Sequence, residues 1–290
     1  NRGDQSVSLD HYFLSDTPTD AGSMGRFAFP SVSLPAGEYL VFDELDYNAV
    51  DAPDVFAFIR SQGDELYMTV GGVGGHTHFV DVVRFPAAAL GESFGRVGEG
   101  PLAPLQSMTL GAANSAYRVG PVLISEFHYH PSQPSAAALQ LDAELQAEDL
   151  EYIEIHNPSA ATVGLTGWRI RGDVDFDFGP GTTLAAGETL LVVPFNPDSA
   201  ENEARKAAFL THYGLSVETR LAGGYRGQLD NGGHRITLQR LGTPPIDDPE
   251  TIPRLWEDEV RFEDTAPWPT TADGLGDSLQ RTSAAALGLL

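Results

Sequence analysis

Three groups of residues in this 290-residue chain have the types and spacing to do chemistry. The first is Asp173-Val174-Asp175-Phe176-Asp177-Phe178, whose D-x-D-x-D spacing invites a calcium reading. Residues i and i+2 of an extended strand lie roughly 6.6 Å apart. Calcium needs its oxygens at about 2.3–2.6 Å, so three residues stretched along one strand cannot all converge on a single ion. The Gly and distal Glu of a helix-loop-helix calcium site are also absent. The plainer reading sets Val174, Phe176 and Phe178 on one face and turns Asp173, Asp175 and Asp177 to solvent. The second group is histidine. His128-Tyr129-His130 sets two imidazoles on one side of a strand, with His156 near the end of a candidate neighbour, and His76-Thr77-His78 repeats the spacing. A zinc site can begin this way, but it needs three or four ligands on one ion, and here the third is conjecture. The third group is Gly71-Gly72-Val73-Gly74-Gly75, which lacks the lysine and strand-to-helix setting of a phosphate loop and reads as a flexible hairpin tip. No serine nucleophile elbow and no HExxH helix occur. The tripeptides Arg2-Gly3-Asp4 and Arg171-Gly172-Asp173 arise readily in turn-rich chains and carry no adhesive assignment. No catalytic, cofactor-binding or metal-binding residue is therefore assigned, and calcium is the one ion the acidic run leaves open.

The elements that would position these groups are strands. Gly (31) and Pro (20) recur every dozen or so residues, as many short strands joined by tight turns require. Val122-Leu123-Ile124-Ser125-Glu126-Phe127 and Tyr152-Ile153-Glu154-Ile155 are apolar and β-branched, and Leu190-Leu191-Val192-Val193 is a short apolar run suited to a sandwich core. Asp198 to Tyr213 differs: it is rich in helix formers, opens with cap residues and stops at Gly214, which predicts one surface helix. The longest apolar run is far short of the ~20 residues of a membrane helix. Forty-one Asp and Glu against 17 Lys and Arg give a net charge of −24. Such a surface repels nucleic acid and anionic lipid and favours cationic or protein partners. There is no cysteine, hence no disulfide and no thiolate chemistry. The opening Asn1-Arg2-Gly3-Asp4 reads as the start of a mature or partial chain.

Comparison of the chain with itself is more informative. Asn1–Leu9 matches Asn157–Leu165; Tyr12 and Leu14 match Trp168 and Ile170; Leu34–Leu40 matches Leu184–Leu190. Further on, Gly63–Met68 matches Gly233–Leu238, Asp81–Phe85 matches Asp258–Phe262, and Gly91–Arg96 matches Gly276–Arg281. Six segments in one order predict two tandem copies of an all-β module, with loop insertions in the second. The expected domains are 1–117 and 118–290.

The second copy resembles a bacterial lamin tail domain. The likeness rests on Val122–Phe127, Glu151-Tyr152-Ile153-Glu154-Ile155-His156-Asn157-Pro158, Val163-Gly164-Leu165-Thr166-Gly167-Trp168 and Gly181–Gly187. It continues through Tyr225–Gly233 and the Ala266-Pro267-Trp268-Pro269 turn. The resemblance implies an immunoglobulin-like β-sandwich, so the expected fold is all-β: two tandem sandwiches, the second with one inserted surface helix. Trp168, like Tyr12, should lie in the core between the sheets, and Asn157-Pro158 should end a strand. Gly167 and Gly187 suit positive φ.

The resemblance implies a module of a large secreted or surface protein of bacteria. The leading expectation is a non-catalytic structural or adhesive part of an extracellular or cell-surface protein, with no cofactor. Its partners would be other domains of the parent, protein surfaces, or copies of itself through β-strand pairing. The alternative is an accessory binding arm of an extracellular enzyme (nuclease, phosphatase or spore-coat-kinase-like) whose catalytic domain lies elsewhere. One asymmetry stands out. Two strands precede Asn157, whereas Asn1 is its counterpart in the first copy, so the first module is expected to lack its first strands, cleaved from a longer chain or donated by a neighbour.

Overall fold

Apolar residues alternating between glycine turns produce strands nearly throughout a computed structural model that describes residues 1–18, 26–50, 55–72 and 75–288. The protein is nearly all β, and its helices are few and short. No helix among the described residues is long and apolar enough to cross a membrane. The chain divides into two units, Asn1–Arg118 with Gly242–Leu255, and Val119–Leu241 with Trp256–Leu290.

The first unit contains β1 (Val7–Ser8), β2 (Tyr12–Ser15), β3 (Arg26–Ala28), β4 (Ser33–Leu34), the single-turn α1 (Glu44–Tyr47), β5 (Gly63–Gly72), β6 (Gly75–Pro86), β7 (Phe94–Arg96) and β8 (Leu102–Pro104). Four strands make one sheet in the order β3-β2-β5-β6, while β1-β4 and β7-β8 form separate pairs. Gly72 pairs with Gly75 at the tip of the long β5-β6 hairpin; Val73 and Gly74, which the expected hairpin tip includes, lie outside the described residues. Aromatic rings cover part of this sheet. Phe42 packs against Phe27 and Phe29, and Phe58 sits edge-on to Phe85 at 5.3 Å. Leu14, Met68 and Phe85 are nevertheless only half-buried.

The second unit contains β9 (Leu123–His128), α2 (Ala136–Leu139), β10 (Tyr152–His156), β11 (Val163–Gly164), β12 (Arg169–Gly172), β13 (Val174–Asp177), β14 (Thr183–Leu184) and β15 (Thr189–Val193). The helix α3 (Glu203–Tyr213) follows, then β16 (Leu221–Gly223), β17 (Arg226–Gly227), β18 (Arg235–Leu241), β19 (Arg254–Arg261, whose first two residues divide with the first unit) and β20 (Leu279–Gln280). Two five-stranded sheets, ordered β16-β15-β10-β9-β20 and β17-β13-β12-β18-β19, form a sandwich. Between them lies a core that includes Ile124, Phe127, Ile153, Trp168, Ile170, Leu190, Val192, Leu238 and Phe262.

Leu190-Leu191-Val192-Val193 is continuously apolar because both faces of β15 are covered. Leu190 and Val192 point into the sandwich, while Leu191 and Val193 join a second cluster with Phe195, Ala208, Phe209 and Leu210. A strand buried on both sides has no polar face to show in its sequence. The expected surface helix is thus α3, shorter than the Asp198–Tyr213 stretch, and one of its sides is a lid on the outer face of the first sheet. Ser199 caps the 3-10 turn Ala200–Asn202 that leads into it, and Gly214 ends it at φ 64° in the left-handed region.

Candidate functional site

The D-x-D-x-D run straddles a corner. Gly172 adopts φ 129°, and a Cβ there would lie 1.9 Å from the Arg235 carbonyl oxygen, so only glycine lets β12 turn into β13. Beyond that corner the alternation holds for two of the three carboxylates: Asp175 and Asp177 are exposed while Val174 and Phe178 are buried. Arg171 answers both, with Nη2 at 2.8 and 3.0 Å from the Asp177 oxygens and Nε at 3.5 Å from Asp175. Asp173 departs from the expected solvent-facing placement. Its side chain is 4 % exposed, accepts the Asp230 backbone N–H at 3.4 Å and meets Nδ1 of His234. Burial holds the Asp173 carboxyl above the usual carboxylate range. The Arg171-Gly172-Asp173 tripeptide is accordingly folded into the corner. In the other tripeptide, Arg2 is bound to the Gly98 carbonyl at 2.7 Å and to Glu99.

The histidines of β9 do not converge. His128 is buried and its Nδ1 lies 2.9 Å from the Tyr213 hydroxyl. That hydroxyl spends its one proton on the Leu150 carbonyl at 2.7 Å, so Nδ1 of His128 is the donor. His130 instead meets Asp273 at 2.6 Å. His156 pairs with Leu123 and His128 with Tyr152, which puts His156 at the opposite end of the ladder from His128. His78 is exposed on β6, and the side chains of His76 and Thr77 lie outside the described residues. Among the described residues, no group of three or more His, Asp or Glu side chains is arranged to hold a metal ion.

Residues that sequence reasoning left as mere strand ends form the most elaborate polar site. Asn157 is fully buried, with Nδ2 within 2.7–3.0 Å of the carbonyls of Ala161, Leu184 and Ala185. Its Oδ1 accepts from the backbone and hydroxyl of Ser159 at 3.0 and 2.6 Å. Its own N–H donates to Glu188 O at 3.0 Å, and its carbonyl accepts from Gly187 N at 2.8 Å. Asn1 makes the corresponding set: Nδ2 to Gln5 O (2.7 Å) and Leu34 O (2.9 Å), Oδ1 from Gly3 N (2.9 Å), N to Glu38 O (2.7 Å), and O from Gly37 N (2.9 Å). Registers match as well: Val7 pairs with Leu34 as Val163 does with Leu184, and Leu14 pairs with Met68 as Ile170 does with Leu238. Gly63 and Gly233 sit at φ 88° and 96° with no room for a Cβ against the backbone of Phe85 and Phe262 respectively.

A second clamp grips a strand by its backbone. Asp258 and Arg281 form a buried ion pair, with side chains 4 % and 6 % exposed. Asp258 also accepts the Ile124 N–H at 2.8 Å, and Nε of Arg281 donates to the Ile124 carbonyl at 2.8 Å. The backbone N–H of Arg281 reaches Ser125 O at 2.8 Å. Burial alone would favour a neutral Asp258, and the guanidinium together with the Ile124 amide opposes it. In the first unit Asp81 and Arg96 make a bidentate pair at 2.8 and 3.2 Å, but there both side chains are about two-fifths exposed.

Two further buried groups titrate unusually. Glu151 accepts the Tyr225 hydroxyl at 2.9 Å and the Leu229 N–H at 3.1 Å, and burial pushes its carboxyl up to about 7. Burial pushes His128 down to about 4, against the pull of Glu126. Glu126 receives the hydroxyls of Tyr152 and Ser278, the latter at 2.5 Å. A recess of about 510 Å³ lies beside Phe176, Asp177, Asp198 and Arg220, where Arg220 is engaged by Glu188 at 2.7 Å and Thr183 O at 3.0 Å. These arrangements hold strands and loops in place.

No curated protein matches the chain. Among solved structures, a DUF4876 family protein from Bacteroides thetaiotaomicron is 11 % identical, with 91 % of this chain and 76 % of that one covered at a TM-score of 0.31. Lamin tail domains are an immunoglobulin-like, non-catalytic family, in keeping with the sandwich of the second unit. Residues 115–246, which carry β9 to β18, match the lamin tail domain model.

Proposed function

We propose that this chain is a non-catalytic structural and binding segment of a larger secreted or cell-surface bacterial protein, built from two copies of a lamin-tail-like module. The carrying observation is how the second unit uses its polar side chains. Asn157, Asp258, Arg281, Glu151, His128 and Asp173, which an enzyme would aim at a substrate, are all buried or bonded to backbone and neighbouring side chains. The tandem reading is supported by the matching hydrogen bonds of Asn1 and Asn157, by the matching registers, and by the two Asp-Arg pairs. Association through strand pairing is the mode of assembly this reading favours. No cofactor is required.

The test is an assay of the purified chain against phosphodiester and phosphomonoester substrates with Mg²⁺, Mn²⁺, Ca²⁺ and Zn²⁺. The expected result is no turnover above buffer. Metal-dependent hydrolysis that disappears in a His128→Asn or Asp173→Asn variant would overturn the proposal. Calorimetric titration with Ca²⁺ is expected to leave the thermal midpoint unchanged, since an ion bound only to the folded state must raise it.

A further inference from the structure

Residues 39–42 of the first unit, Tyr-Leu-Val-Phe, have the composition of a strand and none of its hydrogen bonds. On one side the Glu38 carbonyl is taken by the nitrogen of Asn1 at 2.7 Å. On the other, the Asp43 N–H donates to the Asp46 carboxylate at 2.9 Å, within the cap of α1. Between these two points, no backbone N–H or C=O of Tyr39, Leu40, Val41 or Phe42 has a hydrogen-bond partner among the described residues. The corresponding strand of the second unit, β15, is paired on both sides, with β10 and with β16. Residues 39–42 share its sidedness: Phe42, the counterpart of Val192, packs against Phe27 and Phe29. Tyr39, Leu40 and Val41 are 51, 39 and 43 % exposed. Consecutive unpaired amides beside exposed apolar side chains are the template on which β-strand addition works.

Charge decides what fits there. From 27 to 59 the sequence holds six acidic residues and no Lys, Arg or His. Glu38, Asp43, Glu44 and Asp46, which flank the run, are exposed. A second copy is therefore the wrong occupant. Antiparallel pairing of 39–42 with itself sets Glu38 opposite Asp43 at both ends of the ladder, and it brings together two chains of net charge −24. The fitting occupant has an apolar centre like that of the run and ends of the opposite sign.

We propose that residues 39–42 are an edge to which a partner protein adds one β-strand, an apolar segment of about four residues flanked on both sides by Lys or Arg. The unpaired amides and carbonyls supply the ladder, Tyr39, Leu40 and Val41 supply apolar contact, and Glu38, Asp43 and Glu44 meet the basic flanks. The proposal rests on the binding role given above, and on the two-copy reading for the form the run takes when paired.

The probe is the peptide fluorescein-KKVTVYVKK-amide, titrated with the full chain and read by fluorescence anisotropy. Saturable binding is expected, weakened at least tenfold when the lysines become glutamates and when salt rises from about 10 to about 150 mM. Leu40→Pro and Val41→Pro each remove one N–H, on opposite edges of the run, and at least one of them should weaken binding tenfold with the thermal midpoint unchanged. A cationic peptide also adheres to an acidic chain without pairing, so the deciding arm changes the peptide backbone alone. N-methylation of alternate peptide amides keeps every charge and side chain, and it should abolish binding for the one alternate set that faces the chain. Equal binding by both N-methylated forms would overturn the proposal. So would the absence of saturable binding, or a chain that dimerises by itself and ceases to do so as Leu40→Pro or Val41→Pro. Hydrolysis in the assay above would leave this edge in place, and absent peptide binding would leave the non-catalytic reading in place, so the two failures are distinct.

Discussion

Asn157 ties three carbonyls and a turn together from a fully buried position. Asn157→Ala should therefore cost about 1–3 kcal/mol, the penalty of stranding the buried Leu184 carbonyl, read as a lower urea midpoint with unchanged slope. Glu151 and His128 oppose each other in acid. Burial raises the Glu151 pKa from 4.5 to about 7, so in that window the folded state keeps a proton that the unfolded chain releases, and stability falls as pH rises. Burial lowers the His128 pKa from 6.5 to about 4, so there the unfolded chain holds the extra proton, and stability rises with pH. The two slopes offset each other between about pH 4.5 and 6.5 in the native chain. Glu151→Gln, which keeps acceptors for Tyr225 and Leu229, should unmask the His128 slope. His128→Asn should unmask a decline on the order of 3 kcal/mol up to pH 7. Urea titrations at pH 5 and 7.5 check both, and parallel pH profiles for the two variants would contradict the assignment.

At the scale of elements, α3 decides whether the first sheet of the second unit is covered. Phe209 is fully buried against Tyr152, Phe195 and Tyr213. Phe209→Ala should lower stability by about 3–5 kcal/mol in chemical denaturation, against a near-neutral change at an exposed helix position such as Thr211→Ala. The helix was legible in the sequence from its formers and Gly214, but its role as a lid was not, because a period of 3.6 says which side is apolar and not what meets it. Likewise Leu190–Val193 read as a strand, while burial on both faces depended on a helix arriving from ten residues downstream. The D-x-D-x-D run was legible as solvated strand apart from Asp173, whose burial follows from the Gly172 corner. Asp258 and Arg281 were present in the self-comparison opposite Asp81 and Arg96. Nothing in sequence spacing announces that two residues 23 positions apart share one hydrogen-bonded strand between them.

For the whole molecule, a net charge of −24 is the largest single field. Raising salt from about 10 to about 150 mM shortens the screening length from about 30 to about 8 Å and should raise the thermal midpoint by about 2–4 °C as self-repulsion is relieved. An unchanged or lower midpoint would show that the ion pairs of Arg171 and Arg220 outweigh that repulsion. The lid formed by α3 has a further consequence for the second unit. It gives the sandwich a back and a front. The back is closed by Ala208, Phe209 and Leu210, and the front is the outer surface of the other sheet, a lattice of Arg169, Arg171, Asp175, Asp177 and Gln239. The front would meet another surface with guanidinium and carboxylate groups already matched to each other. A tether attached on the helix would leave that side facing outward, like the printed side of a card held from behind.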